Sequence, residues 1–116
     1  MNRAKAEQLG RLAEVRAALW LNLHGWWVLD RRVKTPRGEI DLIARRGRTV
    51  AFIEVKWRKR SEDLGDAIDE YRLRRVAAAV EAVAHRYAKV KDSIRIDVLL
   101  LAPGRFPRHI VNAWQP

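Results

Sequence analysis

Three acids and a lysine interrupt two short runs of residues that otherwise have the apolar, β-branched composition of strands. The first run is Gly38-Glu39-Ile40-Asp41-Leu42-Ile43-Ala44, and the second is Phe52-Ile53-Glu54-Val55-Lys56-Trp57. Charged residues are depleted from strand interiors, so solubility alone does not explain these four. The chemistry that such acids suggest is the binding of a hard divalent metal ion.

Magnesium takes oxygen ligands and usually keeps several waters, so two carboxylates, a backbone carbonyl and a substrate phosphate suffice for a site. Asp41 and Glu54 can supply the carboxylates, and Val55 can supply the carbonyl. The metal, Mg²⁺ or Mn²⁺, would lower the pKa of a bound water and polarise a phosphoryl oxygen. Lys56 could orient or deprotonate the attacking water and offset charge developing on phosphorus.

The turn between the two runs predicts how they pair. Strands over 39–45 and 49–57 would be joined by Arg46-Gly47, close to the shortest hairpin connection. Asp41 would then lie opposite Phe52, and opposite residues share a face. An odd-length loop or a bulge would change the pairing. The predicted shared face carries Glu39, Asp41, Glu54 and Lys56.

A helix is predicted from about Ala4 to His24, with Gly25 as its C-terminal stop. Its apolar stripe, of the kind that faces a core, consists of Leu9, Leu12, Leu19, Trp20 and Leu23. Glu14 lies on the flank of that stripe, where an acid is usually solvated.

The rest of the chain predicts an α/β fold in one domain over 1–116. The order is helix, three strands, helix, two strands, with a mixed central sheet flanked by helices. The remaining predicted segments are a strand over 26–33, a turn over 35–38, a polar connection over 61–66, a helix over about 66–87, and strands over 94–101 and 109–114.

The charge favours a polyanionic partner. Lys and Arg number 24 against 14 Asp and Glu, so the net charge is +10 and the pI is about 11.0. Nucleic acid is the first candidate, with DNA foremost, because the arginines are spread along the chain rather than gathered on one amphipathic helix that could lie on a membrane. The predicted nucleic-acid-binding residues are Arg58, Arg72, Arg74 and Arg75, whose alternative interpretation is a solvated face.

Several classes of protein are disfavoured. There are no cysteines, which excludes disulfide frameworks and thiolate zinc sites. The histidines, His24, His85 and His109, are far apart, and we expect them at the surface or at helix ends rather than as ligands. Asn22, His24 and Gly25 interrupt the longest early apolar segment, so we expect no signal peptide, no membrane span and a cytoplasmic location.

An acid on one strand followed by acid, one residue and lysine on the next resembles the PD-(D/E)XK nuclease superfamily. More narrowly, the two runs and the later Arg95-Ile96-Asp97-Val98 resemble the YraN-like family of small bacterial predicted endonucleases, relatives of Holliday junction resolvases. The resemblance implies a restriction-endonuclease-like core and hydrolysis of DNA, with branched or other non-canonical DNA as the expected substrate, and it suggests a homodimer. It implies that Asp41 and Glu54 bind the metal, Lys56 assists catalysis, Glu14 is a further catalytic acid and Glu39 is an accessory acid.

The chain departs from the family pattern in places. Ala13 replaces a common glycine, Arg32 a common asparagine, and Asp69-Glu70-Tyr71-Arg72 a frequent Thr-Pro-x-Lys. Arginine keeps the charge of lysine but cannot carry a proton, which weakens the case for catalytic help from the second helix. Two other hypotheses therefore stay open: a catalytically silent or partner-dependent nucleic-acid-binding module on a nuclease scaffold, and a protein that binds an acidic protein partner.

Overall fold

The computed structural model describes residues 2–60 and 69–114. The predicted order of helices and strands is confirmed. The polar connection predicted over 61–66 and the start of the second helix lie outside the described residues. The elements are α1 (Arg3–Leu23), β1 (Trp27–Thr35), β2 (Gly38–Arg46), β3 (Thr49–Trp57), α2 (Glu70–Val83), a short 3-10 helix (Ala84–Arg86), β4 (Ser93–Leu101) and β5 (Arg108–Ile110). In the part of the chain described, no helix has the length and apolarity needed to cross a membrane.

One five-stranded sheet runs in the order β1-β2-β3-β4-β5. The β3–β4 pair is parallel and the other three pairs are antiparallel, so the sheet is mixed, as predicted. Parallel neighbours need a crossover connection, and α2 belongs to that crossover. Strand β4 is buried on both faces, which explains its nearly continuous apolar sequence.

Helix α2 covers one face of the sheet. Its buried residues pack on β2, β3 and β4. Gly38 permits a close approach, because a Cβ at this position would lie only 2.9 Å from the carbonyl oxygen of Arg75. The α2 side of the core contains Val33, Ile40, Ile43, Val50, Phe52, Leu73, Val76, Ala79, Val80, Val83, Ile96, Val98 and Leu100.

Helix α1 covers the opposite face, but not with the stripe that its periodicity predicted. Ala13, Ala17 and Leu21 are its buried residues. Small side chains let the helix lie close to the sheet, and this fit outweighs the larger apolar area of the predicted stripe. Leu19 and Leu23 are 58% and 84% exposed. The prediction of the buried face was therefore wrong.

Asp97 on β4 is a fully buried charge whose two oxygens are hydrogen-bonded by three residues. Arg95 donates to both oxygens, His109 Nε2 lies 2.7 Å from Oδ2, and the backbone N–H of Asn112 donates to Oδ1 at 2.9 Å. Burial alone would raise the pKa of Asp97, but these contacts lower it below its ordinary value. Asp97 therefore ties β5 and the chain after it to the sheet. His109 is half-buried here, which corrects its expected position at the surface or a helix end.

We expect Asp97→Asn to lower the free energy of unfolding by about 3 kcal/mol, because it leaves Arg95 without its anion. The pKa of Asp97 is lowered by folding, so the loss should be full at neutral pH and should shrink as the carboxylate of the wild-type protein is protonated in acid. Urea unfolding measures this. The control is Glu81→Gln, which breaks an exposed pair with Arg37 and should change stability little. Equal effects of the two variants would contradict the assignment.

Candidate active site

The turn between β2 and β3 sets which side chains meet. The loop residues are Gly47 and Arg48, with Arg46 paired to Thr49 and Ile43 to Phe52. The predicted Arg46-Gly47 loop was therefore wrong by one position, and the predicted pairing was wrong by two residues, since Phe52 lies opposite Ile43 rather than Asp41. Gly47 has φ +61°, a conformation that favours glycine at the first loop position of a tight hairpin. The loop still has two residues, so the predicted parity of the two strands is kept.

Asp41 lies where the paired part of β2 and β3 ends. The last of the paired residues are Leu42 and Ile53. Beyond them, the backbone N–H of Val55 donates to Asp41 Oδ2 at 2.8 Å. A side-chain carboxylate thus satisfies a strand N–H, and the bond holds Asp41 against the backbone that carries Glu54 and Lys56.

Glu54 and Lys56 form a buried ion pair. Lys56 Nζ lies 3.1 Å from Glu54 Oε1, and the two side chains are 8% and 6% exposed. Arg72 of α2 donates from Nε to the same oxygen at 2.9 Å. Two cations therefore contact one carboxylate oxygen, which offsets the cost of burying its charge.

Asp41, Glu54 and Arg72 border a cavity of about 410 Å³ between the sheet and α2, here called the acid cavity, whereas Lys56 borders a separate cavity on the α1 side. Glu39 is exposed and lies at its edge. Arg75 lies beside it, whereas Arg74 pairs instead with Glu70 at 3.8 Å. Arg58 also lines the separate cavity on the α1 side. The acid cavity is lined by Gly38, Glu39, Asp41, Glu54, Tyr71, Arg72, Arg75 and Val76.

Glu14 approaches the site from α1 and is held by Arg32. Its side chain is only 12% exposed, so the expectation of a solvated acid was wrong. Arg32 Nε lies 3.0 Å from both carboxylate oxygens of Glu14. Arg32 has φ +53°, which asparagine tolerates better than arginine. Sequence reasoning noted Arg32 only as a departure from a family pattern and missed this contact.

The pKa of Asp41 is raised to about 6 by burial first and by the nearby carboxylates of Glu14, Glu54 and Glu39, despite the opposing hydrogen bond from Val55. A carboxylate of raised pKa among other carboxylates is a site that a hard divalent cation would stabilise, so the oxygen donors here fit Mg²⁺ or Mn²⁺. Within 2–60 and 69–114, no three acidic or histidine side chains form a complete metal site. A metal here would therefore rely on two carboxylates, a backbone carbonyl and water.

We expect Asp41→Asn to stabilise the fold at neutral and alkaline pH, by about 2 kcal/mol. The pKa of Asp41 is raised by folding from 3.8 to about 6, so the ionised carboxylate costs stability above about pH 6 and nothing below its unfolded pKa. The gain should thus disappear on acidification. Urea unfolding of wild type and variant at about pH 8 and about pH 4 measures the gain in stability and its disappearance. A variant less stable than wild type at the higher pH would contradict this expectation.

Comparisons with known proteins agree with this architecture. Residues 13–101 match the uncharacterised protein family UPF0102. UPF0102 proteins of Erythrobacter litoralis and Sphingopyxis alaskensis are each 66% identical over 116 residues and cover all of both chains. A UPF0102 protein of Caulobacter vibrioides is 47% identical over 94% of this chain and 88% of its own.

A solved structure has a similar fold. It is Archaeoglobus fulgidus Hjc, a Holliday junction resolvase from an archaeal hyperthermophile, with a TM-score of 0.58, 20% identity, and coverage of 84% of this chain and 72% of that chain. At this identity the likeness shows the fold alone, which is the predicted restriction-endonuclease-like fold. The chain belongs to the uncharacterised protein family UPF0102, the YraN family of the sequence resemblance, and has a restriction-endonuclease-like fold.

Proposed function

We propose that this protein is a metal-dependent endonuclease that hydrolyses phosphodiester bonds in DNA. The observation that carries the proposal is that Asp41 and Glu54 line the acid cavity together at the end of the β2–β3 pairing, with Lys56 in contact with Glu54. The basic charge suits DNA, and the similar fold of a Holliday junction resolvase supports branched DNA as the substrate. A homodimer, which would offer two sites to two strands, is part of the proposal.

Asp41 and Glu54 would hold Mg²⁺ or Mn²⁺ through their carboxylates, with the backbone carbonyl of Val55 as a third ligand. When bound, the metal supplies Lewis acidity and a water of lowered pKa. Hydrolysis forms a bond from water oxygen to phosphorus and breaks one phosphorus–oxygen ester bond, and the leaving oxygen gains a proton. Lys56 contacts an anion in this structure, so we assign to it hydrogen-bond donation to the attacking water or to a phosphate oxygen.

The surrounding charges would hold the rest of the substrate. Arg72 and Arg75 border the acid cavity and are the first candidates for phosphate contacts. Arg58 and Arg74 lie outside the acid cavity and would contact the phosphate backbone of the DNA farther from the cleaved bond. The accessory acids have different surroundings: Glu39 lies at the cavity, and Glu14 is neutralised by Arg32.

A second candidate function is DNA binding without catalysis, or catalysis only with a partner. The observation that favours it is the bond from Arg72 to Glu54, because a guanidinium there competes with a metal for the carboxylate. Metal binding would then require Arg72 to leave Glu54, and a DNA phosphate is one ligand that could draw it away.

Glu54→Gln should abolish cleavage of branched DNA in Mg²⁺ or Mn²⁺, since it removes a metal ligand while keeping the side-chain volume. We expect a loss of at least about a hundredfold in rate, the scale of a removed catalytic electrostatic contact. The measurement is a nicking assay on junction, flap and duplex DNA. Glu81→Gln, remote from the acid cavity, is the control and should cleave like wild type. Cleavage by pure, folded Glu54→Gln protein at the wild-type rate would contradict the proposed mechanism.

Metal titration by calorimetry separates the two candidate functions without any substrate. A nuclease should bind Mg²⁺ or Mn²⁺ saturably, and Asp41→Asn should weaken that binding. Arg72→Met should strengthen it by up to about fivefold, because a competing and largely exposed cation is removed. Absence of saturable binding in both wild type and Arg72→Met would favour the catalytically silent module.

A further inference from the structure

Tyr71 is an aromatic side chain that borders the acid cavity and has no place in the mechanism above. It is 65% exposed, although it stands in the first turn of a helix that packs on the core. Its backbone is fixed, since its N–H donates to Asp69 Oδ1 at 2.9 Å. Sequence reasoning noted Tyr71 only within the segment that replaces a family motif. The aromatic ring is therefore presented to solvent at a defined place.

The neighbours of Tyr71 define what could bind there. Arg75 follows it by four residues, so the two side chains lie on the same face of α2, and both line the acid cavity. Arg72, the next residue, reaches across to Glu54. An aromatic surface and two guanidinium groups thus stand on one wall, opposite the carboxylates of Asp41 and Glu54 on the other.

We propose that Tyr71 stacks on an unpaired nucleotide base of the DNA substrate, next to the phosphate that would bind through a metal held by Asp41 and Glu54. The combination of groups fits a nucleotide: carboxylates for a phosphate-bound metal, guanidinium groups for neighbouring phosphates and an aromatic face for a base. This proposal rests on the proposed function, because it takes DNA as the substrate.

The proposal specifies the class of DNA. In a duplex, each base face is covered by its neighbours, so a side chain at the protein surface stacks only on a base that is already unpaired or that must be unstacked at a cost. Substrates with an unpaired nucleotide beside the cleaved bond, such as flaps and open junctions, avoid that cost. The volume of the acid cavity, about 410 Å³, lies in the range of small-ligand sites and can accept one nucleotide.

The test is binding by fluorescence anisotropy in EDTA, on a flapped DNA and on a blunt duplex of the same sequence. Tyr71→Ala should weaken binding to the flapped DNA by about tenfold, as for loss of one base-stacking contact, and should leave duplex binding unchanged. Tyr71→Phe keeps the ring and should bind like wild type. Phe106→Ala is the matched control, because Phe106 is an aromatic that is 94% exposed and lies outside the acid cavity.

Equal weakening on both DNAs, no weakening on the flapped DNA, or the same loss in Phe106→Ala would overturn the proposal. If Tyr71→Ala kept the wild-type preference for flapped over duplex DNA, the exposed ring would be assigned to a protein contact instead. Circular dichroism of each variant checks that α2 is retained. The readout needs no metal and no cleavage, so a protein that never cuts DNA can still support the stacking role, and an active nuclease can still lack it.

Discussion

The burial of carboxylates at the end of the β2–β3 pairing is the constraint around which this molecule is built. Asp41 replaces a backbone acceptor for the N–H of Val55, and this brings it beside Glu54. Such a group of acids persists only where hydrogen bonds and cations offset their desolvation and repulsion. Lys56 and Arg72 supply cations to Glu54, and Arg32 supplies one to Glu14. The acids are thus held together by contacts from α1, β1, β3 and α2.

Two aspartates on the same sheet, Asp97 fully buried and Asp41 half-buried, show how surroundings decide between a structural and a chemical role. The pKa of Asp97 is lowered, because burial is outweighed by Arg95, His109 and the backbone N–H of Asn112, and the contacts with His109 and Asn112 hold β5 and the chain after it in place. The pKa of Asp41 is raised to about 6, because burial and neighbouring acids outweigh its one hydrogen bond. The carboxylate of Asp97 has its hydrogen-bond partners within the protein, whereas the carboxylate of Asp41 borders a cavity, where a bound cation would stabilise its ionised form.

The errors of sequence interpretation had physical causes. On α1, periodicity predicted that a stripe of large apolar residues faces the sheet, but the buried face contains Ala13 and Ala17. Which face of a helix packs closely depends on the shape of the opposing surface as well as on hydrophobicity. At the β2–β3 turn, Gly47 took the first loop position rather than the second, because only there does the turn use its positive φ. The predicted and the observed loop both have two residues, so the error did not change which side chains share a face of the hairpin.

The sequence by itself determined the order of helices and strands, the mixed sheet and the side of β3 that carries Glu54 and Lys56, because these follow from local periodicity and turn residues. It could not determine which cations meet which acids. The contacts from Arg72 to Glu54 and from Arg32 to Glu14 join residues eighteen positions apart on different elements. Only the packing of α1 and α2 on opposite faces of the sheet decides those meetings, and it also decides that Tyr71 borders the acid cavity.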